Sequence, residues 1–138
     1  MVNYPLWKSM KIFWPYDKVI ANVKILLAGN LAQKIICGRG TYGCEEDLGK
    51  ARSEIYRLVN RTGYKNCWRT LPDYHSYRKE SQIKKRSNER IIEIIFKKCE
   101  KETKSYIKKN ALKIEVLGNL LYKKEKLTSS QINAALAQ

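Results

Sequence analysis

The chain of 138 residues carries 28 Lys+Arg against 13 Asp+Glu, a formal charge of +15, with four cysteines and one histidine. That length suits one domain, which buries about two thirds of the surface its unfolded chain exposes. The cysteines, 7, 23 and 32 positions apart, form neither a C-x-x-C zinc pair nor the dense disulfide framework of a small secreted domain, and read as reduced thiols in a cytoplasmic chain.

The charge is suited to polyanions, anionic lipid heads or acidic proteins without choosing among them, and a chain rich in Lys, Ile and Asn can become this basic with no such partner. Residues 1–16, MVNYPLWKSMKIFWPY, are aromatic-rich but broken by Pro5, Lys8, Lys11 and Pro15. They hold neither the apolar stretch of a signal peptide nor the roughly 20 apolar residues of a bilayer span, so no membrane span is expected. They read as an N-terminal segment whose Tyr4, Leu6, Trp7, Ile12, Phe13, Trp14 and Tyr16 can fold back as a lid on a domain over 17–138.

Within that domain, Val19, Val23, Leu26, Leu27, Leu31, Ile35 and Ile36 recur at helical spacing and predict a helix from about Asp17 to Cys37, stopped by Gly38 and Gly40. A second helix is expected to start among Glu45, Glu46 and Asp47, whose charges complement a helix N-terminus, to bury Leu48, Ala51, Ile55, Leu58 and Val59, and to end by Gly63. Residues 63–87 read as a long loop, with a turn at Leu71-Pro72-Asp73. From Asn88 a long charged helix carries Ile91, Ile92, Ile95, Cys99, Tyr106 and Ile107. After Asn110 a further one carries Leu112, Val116, Leu117, Leu120 and Leu121 on one side. Thr128-Ser129-Ser130-Gln131 has the form of a capping box opening a last short helix, Ser129 to Leu136. Nothing alternates in the manner of a strand, so the fold class is all-α, a single helical domain without internal repeats.

The order of these pieces, LLAGNLA, a glycine break, TYGCEEDLGKA, a helix ending in LVNRTGY, a loop, a long charged helix and then LGNLLYKKEKLTSSQI, resembles the peptidase domain of FtsH-type ATP-dependent zinc metalloproteases from Asp17 to Leu136. Ala28-Gly29, Ala32, Gly38, Thr41, Gly43, Asp47, Leu48, Ala51, Gly63 and Leu120 to Thr128 fall where that family's pattern places them. Asn30, Gln33 and Cys44 depart from its usual arginine, glutamate and alanine. The resemblance implies that Asp47 is the third protein ligand of a catalytic zinc, completing a His-His-Asp site whose open position holds the attacking water. On its own, the same aspartate at a helix start serves equally as a charge on the helix dipole.

The family's other ligands and general base lie on H-E-x-x-H, two imidazoles one turn apart with a glutamate between them. This chain's single histidine, His75, stands in DYHSYRK, lacks a second histidine four residues away, and follows Asp47 where the family's motif precedes its aspartate. The stretch ahead of the first matching helix is expected to be too short for the zinc helix, and no G-x-x-x-x-G-K-[ST] loop occurs. The leading reading is therefore a degenerate or partial member of the family, catalytically incomplete and acting as a helical binding or scaffold module. No cofactor is expected, and zinc only if the missing ligands come from elsewhere, with Cys44 and His75 the next candidates. A protein partner would cover the surface that a missing catalytic segment leaves.

Two alternatives stand beside it: a metallopeptidase part completed by another chain, and a basic helical protein that binds nucleic acid without sequence preference. The stretch Arg78 to Lys126, with 16 Lys+Arg and 7 Asp+Glu, carries the second alternative. Against it, Glu93 with Lys97 and Glu100 with Lys104 have the i, i+4 spacing of an ordinary solvated helix face.

Overall fold

The computed structural model describes residues 14–67 and 82–137. Within them the chain forms five α-helices and no strand: α1 (Tyr16–Ile36), α2 (Glu45–Thr62), α3 (Gln82–Lys109), α4 (Ala111–Lys124) and α5 (Ser129–Leu136), with 3-10 turns at Tyr42–Cys44 and Tyr64–Asn66. The all-α expectation holds over this range. The lid residues Tyr4 to Phe13 and the turn at Leu71-Pro72-Asp73 lie outside the described residues.

Three helices make the core. Apolar side chains one turn apart line the inner faces of Val23, Leu27 and Leu31 on α1, Ala51, Ile55 and Val59 on α2, and Ile95, Phe96, Cys99 and Ile107 on α3, and all ten are buried in one cluster. Each fully buried aliphatic side chain contributes about 1.5–3 kcal/mol of transfer free energy, so this cluster is what holds the three helices together. Two termini follow from backbone chemistry. Gly63 ends α2 at φ +70°, a left-handed conformation that costs a residue with a Cβ more than it costs glycine, and Gly38 takes φ +73° just past α1.

α1 packs against both α2 and α3. It is also, at 21 residues and a mean hydropathy of 1.4 in its most apolar window, long and apolar enough to cross a membrane by length and composition. The expectation of no span is drawn from residues 1–16 and does not cover this helix. Here its inner face is covered by protein, while Ile25 on its outer face is 72% exposed.

α3 corrects two expectations. Helix replaces loop over residues 82–87, since glutamine, lysine and arginine favour helix even where no apolar stripe announces it. Tyr106, counted with the apolar stripe, is exposed. α4 forms after Asn110 as expected, yet none of its side chains is buried, and Leu112, Val116 and Leu121 of its apolar side are exposed. It meets α3 and α5, with Ile114 reaching the edge of the core. At α5 the capping box forms as its sequence implies: the Gln131 N–H donates to Thr128 Oγ1 at 3.3 Å, and the Thr128 N–H donates to Gln131 Oε1 at 2.9 Å.

Candidate functional site

The junction between α1 and α2 holds the residue implied as a zinc ligand. After Cys37 the chain turns through Gly38 and runs back close to α1. A Cβ added at Gly40 would lie 3.2 Å from Lys34 Cε, so the approach suits glycine. The Thr41 hydroxyl donates to Gln33 Oε1 at 3.0 Å, fixing the turn to the end of α1, and the Cys44 thiol donates to the Thr41 carbonyl at 2.8 Å. α2 then starts with no side-chain cap, and its first turn is Glu45, Glu46 and Asp47. Three carboxylates beside uncapped N–H groups stabilise that end of the helix through its dipole. Glu46 also pairs with Lys50 one turn on, at 2.6 Å, and this hydrogen bond draws the Glu46 carboxyl below the usual carboxylate range and raises Lys50.

Asp47 itself is exposed. Among the described residues no three His, Cys, Asp or Glu side chains come together as a metal site. Cys44 is engaged with a carbonyl, and His75 lies outside the described residues. Among the described residues the donor set around Asp47 is oxygen-rich and lacks imidazole, and those residues by themselves do not fit a catalytic zinc. Asn30, where the resemblance places arginine, is buried at 4% exposure, and its Oδ1 finds no hydrogen-bond partner among the described residues.

A second place was not legible beforehand. α2 and α3 run antiparallel, so that Asn60 meets Asn88 and Arg52 meets Glu93, and between them opens a groove of about 760 Å³. Its floor is an amide pair, Asn88 Nδ2 donating to Asn60 Oδ1 at 2.7 Å, with the two asparagines 2% and 5% exposed. Arg57, Arg61 and Lys85 line one end, Tyr56 stands half-exposed on the α2 wall, and Glu89 and Glu93 line the α3 wall. Arg52 reaches Glu93 at 3.5 Å and stacks over the Phe96 ring at 4.3 Å, so Glu93 answers an arginine on α2 rather than Lys97 as its spacing implied. The other expected pair forms, Lys104 to Glu100 at 3.3 Å. One signal for the floor was in the sequence: Asn88 sits three, four and seven positions before Ile91, Ile92 and Ile95, on their own stripe.

A third cleft, between α1, α3 and the turn at Tyr64, is lined by the Lys24–Glu102 ion pair at 2.6 Å. The hydrogen bond to Lys24 holds the Glu102 carboxyl below the usual range and raises Lys24. Burial pushes up the thiols of Cys99, on that cleft's wall, and Cys67, which keeps both in the unreactive protonated form at neutral pH.

Comparison with curated proteins gives no match for the chain. The family model described as Peptidase family M41 matches residues 4–135. The all-helical fold agrees with that match, and the chain belongs to peptidase family M41.

Proposed function

We propose that this chain acts as a helical binding or scaffold module of the M41 type and is catalytically incomplete by itself. The observation that carries the reading is the isolation of Asp47: an exposed carboxylate on an uncapped helix start, in a sequence with one histidine, where a His-His-Asp site needs two imidazoles. Its local surroundings already give Asp47 a role in α2. Exposed apolar side chains on α4 and α5, Leu112, Val116, Leu121, Tyr122 and Leu136, support contact with a protein partner. The four free thiols fit the reducing environment of the cytoplasm.

The test is proteolysis. The purified chain, with zinc and with or without ATP, is incubated with casein and with a fluorogenic peptide. No hydrolysis above buffer is expected from the chain or from Asp47→Ala. Hydrolysis that depends on zinc and vanishes in Asp47→Ala would overturn the proposal. Activity that arises only when a second polypeptide is added would replace it with the reading in which another chain completes the site.

A further inference from the structure

α4 stands at the side of the three-helix core, its main contacts among the described residues being with α3 and α5. Its own residue order decides what turns away from the core. Counting about 100° per residue from Leu112, one arc of about 120° holds Leu112, Lys123, Val116, Leu120, Lys113 and Lys124. Ile114, which reaches the core, lies on the opposite side. Leu112 is 79% and Val116 51% exposed, the three lysines are exposed, and Leu120 is half-buried. Glu115, the acidic residue of α4, falls outside the arc. The order along the axis is also uneven: Lys113 stands about 15 Å before Lys123, and the aliphatic side chains of Val116 and Leu120 lie between them. Lys108 and Lys109 close α3 just ahead and Lys126 follows just behind, so an apolar centre is basic on both flanks.

Whatever meets this face must be anionic at its flanks and accept aliphatic side chains at its centre. A nucleic acid meets the first requirement only, since leucine and valine offer no ring for a base to stack on. A second copy of the chain would set lysines against lysines, with no carboxylate in the arc to answer them. Tyr122, the aromatic side chain that a protein contact favours, lies outside the arc together with Leu121, which leaves those two for a protein partner. An anionic bilayer meets both requirements. Its headgroups carry the negative charge, its boundary with the acyl chains takes aliphatic side chains from a helix lying in the plane, and a fluid surface needs no pocket in the protein. Lysine stems run along such a boundary while the ammonium groups stay among the headgroups.

We infer that the outer face of α4 docks on an anionic lipid surface, with Leu112 and Val116 entering the boundary between headgroups and acyl chains and Lys113, Lys123 and Lys124 on the headgroups. The contact is peripheral and goes beyond the scaffold reading, since it needs neither a protein partner nor a metal. Zinc-dependent proteolysis, which would overturn that reading, leaves this contact in place.

The test is co-sedimentation of the full chain with phosphatidylcholine vesicles containing about 30% phosphatidylserine at about 100 mM salt, with circular dichroism to confirm that each variant is folded. Lys113→Gln/Lys123→Gln/Lys124→Gln is expected to lower the partition coefficient at least about tenfold, since each lysine near such a surface is worth about fivefold. Leu112→Ser/Val116→Ser keeps every charge and is expected to lower it at least about fivefold through lost aliphatic burial. A charge-matched control on α1, α2 and the turn between them, Lys34→Gln/Arg39→Gln/Arg57→Gln, is expected to change it less than about threefold, because charges away from the contact are screened. An equal loss in that control would overturn the face and leave net charge as the cause. Unchanged partition of Leu112→Ser/Val116→Ser would overturn the docking, because a purely electrostatic contact makes no use of aliphatic side chains. Equal binding to vesicles of phosphatidylcholine alone would overturn the role of the lysines. Retention on immobilised polyglutamate that falls equally in Leu112→Ser/Val116→Ser would overturn the lipid assignment in favour of an acidic polypeptide. Binding of the parent chain too weak to detect at about 1 mM lipid would overturn it as well.

Discussion

Removing Asn88 should expose how much of the α2–α3 packing depends on one buried amide pair. Asn88 is 2% exposed, and its Nδ2 lies 2.7 Å from Asn60 Oδ1, in a place where water has little access. Asn88→Ala takes away that donor from the buried Asn60 carbonyl, which costs about 1–3 kcal/mol, and Asn60→Ala takes the same buried hydrogen bond from the Asn88 amide. A domain of this size loses about 4 °C of melting temperature per kcal/mol, so each single variant should melt about 4–12 °C lower. The double alanine variant removes the same shared hydrogen bond only once. Its cost should fall short of the sum of the singles by at least about 1 kcal/mol, a coupling typical of contacting polar residues. Urea unfolding of all four proteins gives the cycle. Additivity within about 0.5 kcal/mol would mean that the two asparagines are satisfied separately and that the pair does not tie α2 to α3.

Other consequences are simpler to measure. Ile55, fully buried between α1 and α3, should cost about 2–5 kcal/mol as Ile55→Ala in the same urea titration, with an unchanged slope. Thr128→Ala should release α5 locally by about 1 kcal/mol, read as faster amide exchange at Gln131 and beyond, because the capping box holds that first turn. Because the folded-state value of Glu102 is lowered by Lys24, its contribution is present above the unfolded carboxylate value of about 4.3 and is lost as pH falls through the lower folded value. The gap in melting temperature between the parent chain and Glu102→Gln should therefore close between about pH 5 and pH 3; a gap that widened on acidification would contradict the pairing.

Legibility followed the apolar stripe. Val23, Leu27 and Leu31 announced α1, Ala51, Ile55 and Val59 announced α2, and the two ended where glycine was available for a left-handed turn, at Gly38 and Gly63. The start of α3 was missed because KKRS at 84–87 has no apolar residue for periodicity to detect, while its helix propensity is good. α4 forms where the spacing of Leu112, Val116 and Leu121 implies, but spacing alone does not say whether another element covers them, and they are exposed. The groove stayed hidden because its makers are asparagines and arginines on two helices 28 positions apart, which become one place only when α2 and α3 lie antiparallel. Asp47 was located correctly at the start of α2, and what it does there depends on neighbours that one-dimensional order cannot supply.

Zinc stoichiometry tests the central claim most directly. The purified chain is loaded with excess zinc, dialysed and analysed for bound metal alongside Asp47→Ala. With one exposed carboxylate and a single histidine in the whole sequence, both proteins should retain far less than one zinc per chain, and Asp47→Ala should shift stability by no more than about 1 kcal/mol, the worth of a charge at a helix start. One tightly held zinc per parent chain, absent from Asp47→Ala, would contradict the account and make Asp47 a ligand, with Cys44 and His75 the first partners to substitute.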